Sequence, residues 1–127
     1  MHLGRLFLAF VGVALVSVPI NAHHSFTATY QDSREITIEG ELVAFMLRNP
    51  HSFVHVIAPD DTGEMQRWAV EWGAASRLRG QLSRDTLKVG ERVIVVGHPS
   101  RNPENFSMLL QSIKRPSDGW EWNREFN

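Results

Sequence analysis

Cysteine is absent from the 127 residues. No disulfide can staple this fold, no thiolate can hold a metal, and no lipoprotein acylation site exists, whatever the redox state of the compartment. A surplus of positive charge is missing as well, with 13 Lys and Arg against 14 Asp and Glu. Nucleic-acid binding draws on a clustered positive surplus, so that class of partner is excluded. The chain also has no long apolar run. Leu6 to Val18, broken only by Gly12 and Ser17, would reach roughly 20 Å as a helix at about 1.5 Å per residue, short of the ~30 Å hydrocarbon core of a bilayer. Finally, no Gly-x-Ser-x-Gly elbow is present to expose a serine nucleophile.

What stands at the N-terminus is the grammar of a secretory leader. Arg5 supplies positive charge, the apolar run follows, Pro19 breaks it, and Ala22 offers a small residue at a cleavage position. Residues 1–22 are expected to be a signal peptide; the alternative is an uncleaved anchor extended to Ala22. Cleavage would place the protein in the periplasm or outside the cell, with no membrane span left and His23 as the first residue. The 105 residues from His23 to Asn127 suffice for one small domain with a single modest core. We divide them into an N-terminal arm (23–34), a β-barrel (35–115) and a C-terminal tail (116–127). Arg77, Arg79 and Arg84 are the one local concentration of basic residues. A solvated face explains them, with anion binding as the alternative.

Periodicity gives the elements. Glu35 to Arg48 alternates Ile36, Ile38 and Leu42 with polar residues and is interrupted by Gly40, which predicts a long strand with a bend or bulge. Asn49-Pro50 stops it. Ser52 to Ala58 forms a second strand with Phe53, His55 and Ile57 on one face and Val54 and Val56 on the other. Pro59-Asp60-Asp61-Thr62-Gly63 is a turn, and Met65 to Trp72 is its hairpin partner. Gly73 to Arg79 fits a short helix closed by Gly80. After the Lys88-Val89-Gly90 turn, Arg92 to Gly97 contains the continuous run Val93-Ile94-Val95-Val96, expected to be buried on both faces. His98 to Asn105 reads as a loop, and Phe106 to Lys114 as a fifth strand. The aromatic tail with Trp120, Trp122 and Phe126 either folds back on the barrel or frays. Five strands with one short helix between the third and fourth make an all-β chain with the order of an OB-like barrel. Such barrels bind many ligand classes, so the fold alone does not set function.

Four motifs carry a family likeness: Ala22-His23-His24-Ser25-Phe26, Asn49-Pro50-His51, Trp68-Ala69-Val70-Glu71, and Leu87 to Val93. Together they resemble the secreted bacterial proteins grouped as domain of unknown function 6152. The resemblance implies secretion and a small β-barrel and brings no activity with it.

Histidine is the only strong metal ligand present in number. If His51 and His55 lie on a strand, four residues at about 3.3 Å each put them some 13 Å apart, too far to share one ion directly. His55 then reads as a wall histidine, His98 as an exposed turn residue, and His51 as either a cap of the Asn-Pro turn or a ligand. The pair His23-His24 is distinct, because an N-terminal histidine offers both an α-amine and an imidazole to one metal. We therefore expect a transition-metal site formed by His23, His24 and His51. Nitrogen ligation favours copper, while zinc fits the same ligands. Met46 and Met108 read as core filler, with soft donation to copper(I) as the alternative.

No catalytic residues are assigned; Glu71 and Asp85 make only a weak carboxylate pair among many acids, and a copper-dependent oxidase-type site is a third reading. The alternative class is a non-metal module of the cell envelope that binds a small ligand or a protein partner. Trp68, Trp72, Phe53 and Ile57 would be its platform if they are not the barrel core.

Overall fold

The computed structural model describes residues 26–124. Its elements are α1 (Phe26–Thr29), β1 (Ile36–Met46), β2 (Phe53–Pro59), β3 (Met65–Glu71), α2 (Ala75–Leu78), β4 (Arg92–Pro99), β5 (Ser107–Arg115) and β6 (Trp120–Asn123). No helix among the described residues is long and apolar enough to cross a membrane.

β1 is long enough to serve two partners. Ile36 to Glu41 pairs with β4, and Glu41 to Met46 pairs with β2, both antiparallel. β2 continues into β3 as a hairpin, and β4 pairs with β5. The ring closes where β3 and β5 run parallel through Ala69–Ser107, Val70–Met108 and Glu71–Leu109. Strand order is thus β1-β2-β3-β5-β4 and back to β1, with α2 between β3 and β4. This is the five-stranded OB-like barrel expected from the sequence, and closure removes the open edges of a flat sheet.

Gly40 marks the point where β1 exchanges β4 for β2. A Cβ at this position would collide with the Ile57 carbonyl, so only glycine lets the two backbones cross so closely. The register shift itself lies between Leu42 and Ala44, two residues beyond the glycine that signals it in the sequence. Gly97 plays the same part on β4, at the shift between Val96 and Gly97, with the Leu109 carbonyl in the space of its missing Cβ.

Alternation decides what is inside. Val54, Val56 and Ala58 from β2, Trp68 and Val70 from β3, and Met108, Leu110 and Ile113 from β5 form one cluster with Trp72, Leu78 and Leu87. Burial of each large aliphatic side chain stabilises by about 1.5–3 kcal/mol relative to exposure. On β4 the expectation of burial on both faces is corrected: Val93 and Val95 are fully buried, whereas Ile94 and Val96 are only half-buried. A barrel wall one strand thick has a single interior, so a β-branched run cannot be enclosed twice without a second layer.

The chain after β5 turns through Gly119 and folds back. β6 pairs antiparallel with β5 from Arg115–Trp120 to Ser112–Asn123. Trp122 meets Trp72 edge-on with ring centroids 4.8 Å apart, and its Nε1 donates to Gln81 Oε1 at 2.8 Å. Of the two readings of the tail, residues 120–123 take the folded one. Phe126 lies outside the described residues.

Candidate functional site

The Asn49-Pro50-His51-Ser52 turn is fixed from several sides. The Ser52 hydroxyl is fully buried; it accepts from the Arg48 N–H and donates to the Arg48 carbonyl, both at 3.1 Å. Backbone bonds from Ser52 N to the Gly73 carbonyl and from Trp72 N to the Ser52 carbonyl extend the β2–β3 ladder past its last paired residues. Asn49 Oδ1 accepts the Ser76 N–H at 3.0 Å. That bond satisfies a donor in the first turn of α2, whose own N-cap Ala74 has no side chain able to do so. The turn therefore holds α2 against the barrel and leaves His51 at the end of the β2–β3 hairpin, next to the last residue of β3.

That residue is Glu71, and it joins three segments. Its Oε1 lies 2.8 Å from His51 Nδ1, and its Oε2 accepts a short hydrogen bond from the Tyr30 hydroxyl at 2.5 Å. The Glu71 side chain is 13% exposed and that of His51 32%, so the carboxylate is sheltered and the imidazole opens to solvent on one side. Tyr30 is itself buried and anchored by a bridge to Ser100 and by bonds that tie the neighbouring chain to β4 and the loop after it: Gln31 N to the Pro99 carbonyl, and Arg101 N to the Thr29 carbonyl. Burial, then the bond to Glu71 and the charge of its carboxylate, raise the Tyr30 pKa well above its ordinary value of 10.0, so the phenol remains a donor.

The Glu71 carboxylate thus stands against the Nδ1 side of the ring, and Nε2, on the other side, has no hydrogen-bond partner among the described residues. A carboxylate behind an imidazole in this way fixes the tautomer and ring orientation and raises the basicity of the outer nitrogen, an arrangement common behind metal-bound histidines. The ring of Phe26 packs edge-on to His51, centroids 6.1 Å apart, so the N-terminal arm arrives at this end of the barrel. Arg124 stands close enough to be attracted by the Glu71 charge, although its burial is the larger influence and lowers its pKa.

Of the three residues expected to bind metal, His51 takes a position suited to that role, and His23 and His24 lie outside the described residues. Among the described residues no three His, Asp or Glu side chains gather into a metal-holding group. His55 faces outward from β2, and its Nδ1 accepts from Arg67 Nε at 3.2 Å. Its pKa is lowered, first by burial and then by the charges of Arg67 and Arg48. His98 corrects the sequence expectation of an exposed turn residue. It sits in β4, half-buried and paired with Leu109, with Nδ1 2.8 Å from the Arg34 carbonyl oxygen. A Gly-His-Pro sequence reads locally as loop, yet pairing with β5 carries the strand through it. Met108 is fully buried as core.

Trp68 and Trp72 point inward as core, whereas Phe53 and Ile57 line the outer wall and Phe53 lies under the Arg48 guanidinium. Glu71 and Asp85 form no pair, since both oxygens of Glu71 are engaged by His51 and Tyr30. Sequence reasoning missed Tyr30 and the contacts that Glu71 makes with it and with His51. The available signal was Glu71 as a polar residue ending a core-facing strand, directly before buried Trp72.

Beside this group lies a cleft of about 770 Å³ between α2 and β6, bordered by Phe26, Trp72, Arg77, Leu78, Trp122 and Arg124. The site and the cleft thus share one end of the barrel.

A family model described as a family of unknown function, DUF6152, matches residues 11–108. No curated protein matches the chain.

Proposed function

The chain belongs to the DUF6152 family, and on that premise we propose that it is a secreted, periplasmic β-barrel protein that binds or handles a transition metal, copper foremost. The observation that carries this reading is the contact of His51 Nδ1 with Glu71 Oε1 at 2.8 Å, backed by Tyr30 on the other carboxylate oxygen. It leaves one imidazole nitrogen of the barrel oriented and available as a ligand.

The remaining ligands are His23 and His24. His23 stands three positions before Phe26, at most about 11 Å of chain, and Phe26 already packs on the His51 ring. Cleavage after Ala22 would free the α-amine of His23, which with its own imidazole makes a chelate; His51 Nε2 would be the third nitrogen. Nitrogen ligands favour copper(II), at the top of the divalent affinity series, and zinc fits the same donors. The leader-like segment 1–22 supports export, and the absence of cysteine suits a site built from nitrogen alone.

The test uses the processed chain starting at His23 and a second form with one extra residue ahead of it, each titrated with copper(II) and zinc by calorimetry and electron spin resonance. The processed form is expected to bind copper tighter than about micromolar, roughly −8 kcal/mol, and the extended form more weakly. Binding weaker than that in both forms would end the metal reading. Equal tight binding would remove the terminal amine from the ligand set. A second reading, an envelope module for a non-metal ligand, is favoured by the cleft beside His51.

A further inference from the structure

We infer that the cleft between α2 and β6 is a binding site for a small organic anion, a carboxylate carried on a flat apolar body. The volume of about 770 Å³ lies within the usual range of small-molecule sites. Three observations select the ligand chemistry.

The first is an orphaned donor. Trp72 is 1% exposed, lies in the cleft wall, and its Nε1–H has no acceptor among the described residues. Buried indole N–H groups ordinarily find a partner. The other tryptophans show how: Trp68 Nε1 donates to the Ala58 carbonyl, and Trp122 Nε1 to Gln81. An indole N–H can only donate, so a ligand that satisfies it must bring an acceptor.

The second is a pair of cations, of which Arg124 also feels the charge of Glu71. Arg77 on α2 and Arg124 after β6 both border the cleft, and neither guanidinium has a hydrogen bond or ion pair among the described residues. Arg115, by contrast, is fully engaged by Glu91 and Asp118. Guanidinium forks suit a carboxylate, which accepts two parallel N–H bonds. Glu121 also borders the cleft and its strand position pairs with Lys114; it disfavours a multiply charged anion over a single carboxylate. The third is the apolar wall. Leu78, Phe26 and the faces of Trp122, whose own N–H is bound to Gln81, offer a surface for a flat ring rather than a bare inorganic ion.

This site does not depend on the metal reading, and the test keeps the two apart. Phenylacetate and its neutral isostere phenylacetamide are titrated into the processed chain in the presence of a chelator, followed by tryptophan fluorescence and by the indole N–H resonances. Phenylacetate is expected to bind at least about tenfold tighter than the amide, the difference one charge-assisted contact provides, and to move the Trp72 Nε1–H resonance. Arg124→Gln and Arg77→Gln are each expected to reduce that preference. Trp72→Phe retains the ring and should weaken phenylacetate binding, while His55→Gln, on the outer wall of β2, should leave it intact. Equal affinity for acid and amide, an unmoved Trp72 resonance at saturation, or phenylacetate binding unchanged in both arginine variants would each overturn the inference.

Discussion

The carboxylate of Glu71 grips the His51 imidazole by Nδ1 at 2.8 Å while the Tyr30 hydroxyl holds its other oxygen at 2.5 Å. The strand, the turn and the arm that supply these residues are each pinned by backbone bonds, so the imidazole is oriented before any ligand arrives.

Glu71→Gln keeps the shape and removes the charge. If His51 is a metal ligand, the variant should bind copper about 10–100-fold more weakly, the range seen when carboxylates behind ligating histidines are replaced. Competition titration against a chromogenic chelator measures this, and wild-type affinity in the variant would detach Glu71 from the site. Tyr30→Phe should lower stability to urea by about 1–3 kcal/mol, since it strips a hydrogen bond to a charged group from a sheltered position.

Acid should loosen the end of the barrel at Arg115. Burial alone would raise the Glu91 pKa, but hydrogen bonds from the Lys88 N–H and the Arg115 guanidinium, with its charge, bring it below the ordinary 4.5. The bonds from Arg115 lower Asp118 from 3.8 as well. A depressed carboxylate pKa means that the unfolded chain binds protons more readily. The stability these groups contribute is therefore complete above their ordinary values and lost as pH falls through the lowered ones. Urea midpoints followed downward from pH 5 should drop, and Arg115→Leu should flatten that slope.

His55 opens a separate window at higher pH. Burial and the charges of Arg67 and Arg48 depress its pKa from 6.5, so the folded state resists protonation. Stability should be complete above about 6.5, the ordinary histidine value, and decline as pH falls toward the lowered value. His55→Gln should lose this component and leave the lower-pH decline in place. Identical pH profiles for variant and wild type would refute it.

Gly40→Ala should destabilise by about 1–3 kcal/mol or more, since the new Cβ meets the Ile57 carbonyl, a backbone atom that can retreat only by parting β1 from β2. Gly63→Ala is the comparison: its Cβ would meet nothing nearby, and its penalty comes from the positive φ of 87° alone. Thermal melts of the two should separate a failure of strand crossing from local turn strain.

Trp122→Ala should cost about 1–2 kcal/mol, from the edge-on contact with Trp72 and the bond to Gln81. Near-ultraviolet circular dichroism should lose a tryptophan couplet while the far-ultraviolet strand signal persists. An unchanged melting temperature would mean that β6 adds no stability to the barrel.

The strands were legible in the sequence because a half-buried strand must alternate. That Val54 and Val56 share one face of β2 and His55 and Ile57 the other, the Asp-Thr-Gly turn, and the short helix of α2 are all local consequences of residue type, whereas which face of β2 is interior is not. The order of those elements was enough for an OB-like barrel. Local pattern misled at His98, where Gly and Pro neighbours signal a loop but pairing with Leu109 supplies the strand, and at Ile94 and Val96, where a β-branched run does not say how many layers cover it. The tail was open for the same reason: the edge of β5 and the face of Trp72 that draw Trp122 in are made elsewhere in the chain.

His51 was visible as a candidate because histidine after Asn-Pro at a strand start is chemically conspicuous. Its partners were not. Glu71 is one acid among 14 and Tyr30 is the lone tyrosine of the chain, neither with a neighbour that marks it. They come together because β3 closes on β5 and the arm at Tyr30 bridges to Ser100 beyond β4, contacts between distant segments that no local periodicity encodes. By itself the sequence determined most of the strands and which of their residues share a face. Only the closed barrel decided which of those faces meet, and so which carboxylate stands behind the histidine.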